Sequence, residues 1–189
     1  MAWQTLRFRL TGDAPLILHS GQTVDPLNRY AKALKAISGK RKKTDSDLEE
    51  LAKIEFLAGL YMSEQGPILP AVVIDACIID AAKKSREGVL ARSGFFTVGA
   101  AALEYDGPRT GLELWADERF RLSVPVRIQS SRVIRTRPIF PEWAATVTAQ
   151  YEDSVVNAAR VVEWFRTAGV LCGLCDWRPR FGRFQAVSL

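Results

Sequence analysis

From Leu6 to Leu10 apolar and polar side chains alternate strictly, with Arg7 and Arg9 between Leu6, Phe8 and Leu10. A period of two belongs to a half-buried strand, so residues 2–11 are predicted to form one. The period then changes. Val73, Ile74, Cys77, Ile78, Ala81 and Ala82 recur at helical spacing up to Lys83-Lys84, where cations suit the end of a helix dipole. Residues 94–105 are rich in glycine, alanine and aromatic rings without helix caps, and predict one strand or two. Trp143, Ala145, Val147 and Ala149 alternate again, and Val155, Ala158, Ala159, Val162 and Phe165 return to helical spacing behind an Asp153 or Ser154 cap. A terminal strand from about Phe181 to Val187 closes the series. The order is strand, helix, strand, strand, helix, strand. Few topologies accept it, and the foremost is the α+β, ferredoxin-like or RRM-like βαββαβ unit: an antiparallel sheet with both helices on one face and the other face open to a ligand.

Two segments interrupt this core, at about 22–66 and 107–141. In the first, Asp25-Pro26 predicts a helix start and Ser38-Gly39 a stop, and Thr44 to Asp47 supply cap choices for a second helix, with Ser46 and Glu49 at capping-box spacing. The result is a helical hairpin whose tip carries Lys40-Arg41-Lys42-Lys43. In the second, a short helical turn around Leu112–Asp117 precedes two extended pieces: Val124 to Ile128, and Val133 to Phe140, which Pro138 keeps from coiling. A length of 189 residues accommodates all of this as a single domain, 1–189, with insertions.

Composition removes several function classes. No run approaches the about 20 apolar residues of a membrane span, and Arg7 and Arg9 break the early apolar run that a signal peptide would need. The cysteines Cys77, Cys172 and Cys175 do not resemble a disulfide framework. Cys172 and Cys175 form a C-x-x-C, but zinc would need Cys77 and His19 as its remaining ligands, and a redox pair prefers a helix start. We therefore expect a cytoplasmic protein, without membrane, metal or cofactor. Walker A, dinucleotide-fingerprint and Gly-x-Ser-x-Gly sequences are all lacking. His19 is the single histidine. As a general base on a ribose 2′-hydroxyl it would make a metal-independent ribonuclease; as an ordinary loop residue it would hydrogen-bond locally.

The basic residues carry the stronger signal. Net charge is +5, and it is clustered. Asp176-Trp177-Arg178-Pro179-Arg180-Phe181-Gly182-Arg183-Phe184 crowds three arginines and three aromatic rings around a glycine. Guanidinium forks suit phosphate oxygens and flat rings stack on bases. Arg178, Arg180 and Arg183 are the first candidates for such contacts, with Phe181 for stacking. Arg132, Arg135 and Arg137 come second, and Lys42 and Lys43 supply an electrostatic edge. Together they predict a groove for single-stranded RNA or DNA, bound without chemistry. The alternatives are the ribonuclease using His19 and a structural, assembly or protein-interaction role in which the arginines meet acidic neighbours.

Several of these segments are similar to one family. Pro15 to Gly21 resembles the early strand-and-glycine segment of the RAMP superfamily, ferredoxin-like RNA-binding proteins that include CRISPR effector backbone subunits. Ile68-Leu69-Pro70 resembles the entry to that family's first core helix, and Gly173 to Phe184 its C-terminal glycine-rich loop and final strand. Ala71 and Cys175 stand where the family commonly has glycine. The ending resembles RAMP-like proteins encoded in phage genomes outside any CRISPR locus. The resemblance implies single-stranded nucleic-acid binding, side-by-side homo-oligomeric assembly along the strand, and, for a phage-encoded member, the host cytoplasm.

Overall fold

The structure, a computed structural model, describes residues 2–128 and 131–189. Its main sheet is antiparallel and four-stranded. The first strand, β1 (Trp3–Gly12), lies between the last strand, β10 (Phe184–Ser188), and β9 (Ala144–Glu152), with β5 (Phe95–Thr97) beyond β9. Helix α3 (Ala71–Lys84) and the short α4 (Gly88–Gly94) connect β1's side of the chain to β5, and α6 (Ala158–Thr167) connects β9 to β10. The chain is α+β with antiparallel sheets, as the hydrophobic periods predict.

Alternation decides which face is covered. Phe8 and Leu10 of β1 and Ala145, Val147 and Ala149 of β9 point inward and are buried, while Arg7 and Thr11 point outward. Ile74, Cys77, Ile78 and Ala81 of α3 and Val161, Trp164 and Phe165 of α6 complete that core. Phe8 stacks on Phe165 with ring centroids 3.8 Å apart, and Phe95 meets Trp164 and Phe165 edge-on. Aromatic packing of this kind adds to the area that each ring removes from water.

The first insertion folds as a helical hairpin, α1 (Arg29–Ser38) and α2 (Asp45–Gly59), followed by the small strands β3 (Met62–Ser63) and β4 (Gly66–Leu69). β4 pairs with β6 (Ala101–Ala102). In the second insertion α5 (Gly111–Ala116) precedes a long hairpin of β7 (Arg121–Ile128) and β8 (Ser131–Phe140), and the end of β8 pairs with β2 (Leu16–Ile17). No helix among the described residues is long and apolar enough to cross a membrane.

The helix starts depart from the predictions, each for a local reason. Asp25 spends its side chain on the Leu27 amide, and Asn28 caps α1 by accepting from Tyr30. Among the cap choices Thr44 to Asp47, Thr44 caps α2, and the reciprocal box forms with Asp47 rather than between Ser46 and Glu49. Asp153 accepts from Ala2 and Ser154 from neither helix amide, so Asn157 caps α6 through the Arg160 amide. The last strand begins at Phe184 rather than Phe181, which leaves Phe181 in the loop before it.

That loop, residues 173–182, returns tightly. The Leu174 amide donates to the Gly182 carbonyl at 2.8 Å, and the Gly182 amide donates to the Pro15 carbonyl at 2.9 Å. Gly182 has φ +70°, and a Cβ there would stand 2.0 Å from the Leu174 carbonyl oxygen. Side chains are excluded on both counts. Gly182→Ala is expected to cost at least about 2 kcal/mol of stability, measured as the shift in urea unfolding; an unchanged midpoint would mean that the loop is free to relax.

Candidate nucleic-acid interface

The loop carries its candidate side chains to β2 and α3. The Asp176 amide donates to the Ile17 carbonyl at 3.0 Å, and Asp176 Oδ1 accepts from the Trp177 amide at 3.0 Å. This fixes Oδ2, which lies 3.3 Å from Nδ1 of His19, just beyond β2, and 3.5 Å from Nε of Arg137 on β8. The His19 contact, foremost, holds the Asp176 carboxyl below the usual carboxylate range; the Trp177 amide and the Arg137 charge lower it further, against partial burial. Arg137 Nε is itself buried without a hydrogen bond, so its contact with Asp176 is electrostatic. Tyr61, after α2, donates its hydroxyl to the His19 carbonyl at 3.2 Å.

Three hollows adjoin along this line. The first, about 490 Å³, lies between the end of α3 and the loop, with Lys83, Lys84, Arg178 and Asp80 around it. The second, about 250 Å³, shares Arg178 with the first and is walled by Tyr61, Val72, Val73 and Ala76. The third, about 570 Å³, shares His19 with the second and runs between α1, α2 and β8 past Arg135, Arg137 and Lys35. Six cations, Lys35, Lys83, Lys84, Arg135, Arg137 and Arg178, line the three hollows against three carboxylates, Glu55, Asp80 and Asp176. The band is therefore positive, yet Lys83, Arg135, Arg137 and Arg178 each lie against a carboxylate. Arg178 lies 3.7 Å from Asp80, which also holds Lys83 at 2.7 Å. Arg135 pairs with the buried Glu55, whose second oxygen accepts from the Thr136 amide at 3.1 Å. Such pairs position a guanidinium more than they stabilise the fold.

The sequence candidates divide accordingly. Arg135, Arg137 and Arg178 come together in the band with His19. Arg180 and Arg183 are exposed on the same loop but line none of the three hollows. Phe181 is half-buried, its ring 6.0 Å from that of Trp177. Arg132 is exposed near the far end of the β7–β8 hairpin, and its odd-numbered spacing from Arg135 turns it to the opposite face. Lys43 is occupied with the Ser38 and Lys40 carbonyls that end α1, and Lys40 pairs with Asp47 at 2.5 Å; Lys42 is exposed at that tip. Sequence reasoning missed Tyr61, Lys35, Glu55 and Asp80, which no local pattern ties to the arginines; Asp176 lies inside the arginine-rich segment, but nothing there marks it as their partner. Lys83 and Lys84 stand out in the sequence both as a helix end and, with Arg86, as one of its basic runs.

The cysteines do other work. Cys77 donates to the Gly173 carbonyl at 3.0 Å and is a fully buried part of the core. Burial pushes the Cys175 thiol up to about 12 and raises those of Cys77 and Cys172, so all three stay protonated. No protein-family model matches the chain, and no curated protein is significantly similar to it.

Because the folded-state Asp176 carboxyl titrates below its unfolded value, its contribution to stability is present above the unfolded value and is lost as pH falls through the folded one. Thermal unfolding of the wild type is therefore expected to weaken more steeply than that of Asp176→Asn as pH is lowered through the carboxylate range of about 4. Parallel curves for the two proteins would remove Asp176 as the organising charge.

Proposed function

We propose that the chain binds single-stranded RNA or DNA along this band, without chemistry, as a RAMP-like protein with a ferredoxin-like core. One observation carries the proposal: cations from α1, α3, β8 and the terminal loop, far apart in sequence, line hollows that run into one another through shared residues. A linear array of cations beside apolar walls suits a flexible polyanion whose bases need somewhere to go. The likeness of Pro15–Gly21 and Gly173–Phe184 to the RAMP segments supports the same function, with copies assembling side by side along a strand in the cytoplasm. Arg180 and Arg183 extend the band at the loop, and Lys42 and Arg132 act at longer range.

Replacing Arg178 and Lys84 together with alanine is expected to weaken binding of a labelled oligonucleotide about tenfold or more in anisotropy titrations at low salt. The slope of log K against log salt should flatten by about 0.7 for each phosphate contact removed. Arg180→Ala with Arg183→Ala should weaken binding less. Equal affinities and slopes for wild type and the Arg178/Lys84 variant would contradict the proposal.

The His19–Asp176 contact favours a second function, a metal-independent ribonuclease. With Nδ1 held against a carboxylate, the other ring nitrogen of His19 is turned outward, where it would take the proton of a ribose 2′-hydroxyl. The 2′ oxygen would then attack the adjacent phosphorus, and the 5′ oxygen would leave with a proton from water. Labelled RNA should remain intact with wild type if the chain only binds. Cleavage by wild type, lost in His19→Ala, would establish the nuclease instead.

A further inference from the structure

The middle hollow sets apolar surface beside charge. The Tyr61 ring, Val72, Val73 and Ala76 form one wall, and His19, Cys175, Asp176 and Arg178 complete the lining. Its volume of about 250 Å³ falls below the roughly 300–1,000 Å³ of sites for drug-sized ligands, so it suits one flat ring system. Val72 is 73% exposed at its mouth, an apolar side chain set in a cationic groove with nothing packed over it. Tyr61 cannot swing freely, because its hydroxyl is held by the His19 carbonyl. The Cys175 thiol on the inner side is protonated, so this wall carries no charge from it.

From this apolar wall, set between the cations of the two adjoining hollows, we infer that the groove between Tyr61 and the first turns of α3 receives one nucleobase of the strand, while the phosphates on either side lie toward Arg178 and toward Arg137. This rests on the single-strand binding proposed above and adds a base-contacting subsite to it. The occupant is fixed by continuity: the hollow shares Arg178 with one charged neighbour and His19 with the other, so a polyanion crossing between them passes over its mouth. The walls offer ring and methyl surface rather than a pattern of donors and acceptors. Any base can therefore enter, and sequence preference should be slight.

Two ligands of equal length and charge test the subsite: a thymidine oligonucleotide, and the same backbone with abasic residues throughout. Wild type should bind the base-bearing strand several-fold more tightly. Tyr61→Leu, which keeps apolar volume but removes the ring, should bring the ratio toward one, and Tyr61→Phe should keep it. Ala76→Met fills the hollow from an exposed helical position, and should also lower the ratio. If wild type binds both ligands equally, or if both Tyr61→Leu and Ala76→Met retain the full ratio, the subsite is overturned while groove binding stands. If wild type binds neither ligand, the groove reading fails and the subsite with it.

Discussion

The backbone contacts between residues 173–182 and the segment Pro15–Ile17 organise the molecule's surface chemistry. Leu174 closes the loop on Gly182, Gly182 donates to Pro15, and Asp176 donates to Ile17. These bonds run between backbone atoms, so they fix the loop's path whatever its side chains do. The path sets Asp176 against His19 and Arg137, and carries Arg178 across to Asp80 on α3. Without the turn at Gly182, which no other residue accommodates, the arginines of the terminal segment would have no fixed relation to those of β8. A buried core beneath, where α3 and α6 cover one face of the sheet, makes that surface rigid enough to hold a groove.

Charge in the groove is managed rather than accumulated. Each of Arg135, Arg137 and Arg178 faces a carboxylate, and Asp80 serves two cations at once. Aligned in this way, the paired guanidinium groups are preorganised, and the phosphates of the proposed strand would not have to collect flexible side chains from solvent. The carboxylates also oppose a phosphate, so affinity must come from many contacts at once. That arrangement agrees with a long, linear ligand and argues against a small anion held at one point. For the polynucleotide proposed above, counterion release would make ionic strength the strongest lever on binding.

The core was legible in the sequence because it is written in periods. Phe8 and Leu10 in β1, Ala145 and Val147 in β9, and Ile74, Cys77 and Ile78 in α3 announce their buried faces by spacing alone. Element boundaries were less legible, since several Asp, Ser, Thr and Asn residues competed for each cap and tertiary partners such as Ala2 for Asp153 decided among them. The site was half legible. Arg135, Arg137 and Arg178 stood out as clustered charge, but Arg132 shares that cluster and faces away, because a strand reverses its side chains at every residue. Tyr61, Glu55 and Lys35 join the groove only through the packing of the helical hairpin on β8, which no short-range pattern encodes.

Amide hydrogen exchange with and without a single-stranded oligonucleotide tests the central claim most directly. A strand lying along the band should slow exchange together in residues 17–20, 71–76, 133–137 and 173–180, and leave the outward face of β1 unchanged. Protection absent from those segments, or confined to the open face of the sheet, would contradict it.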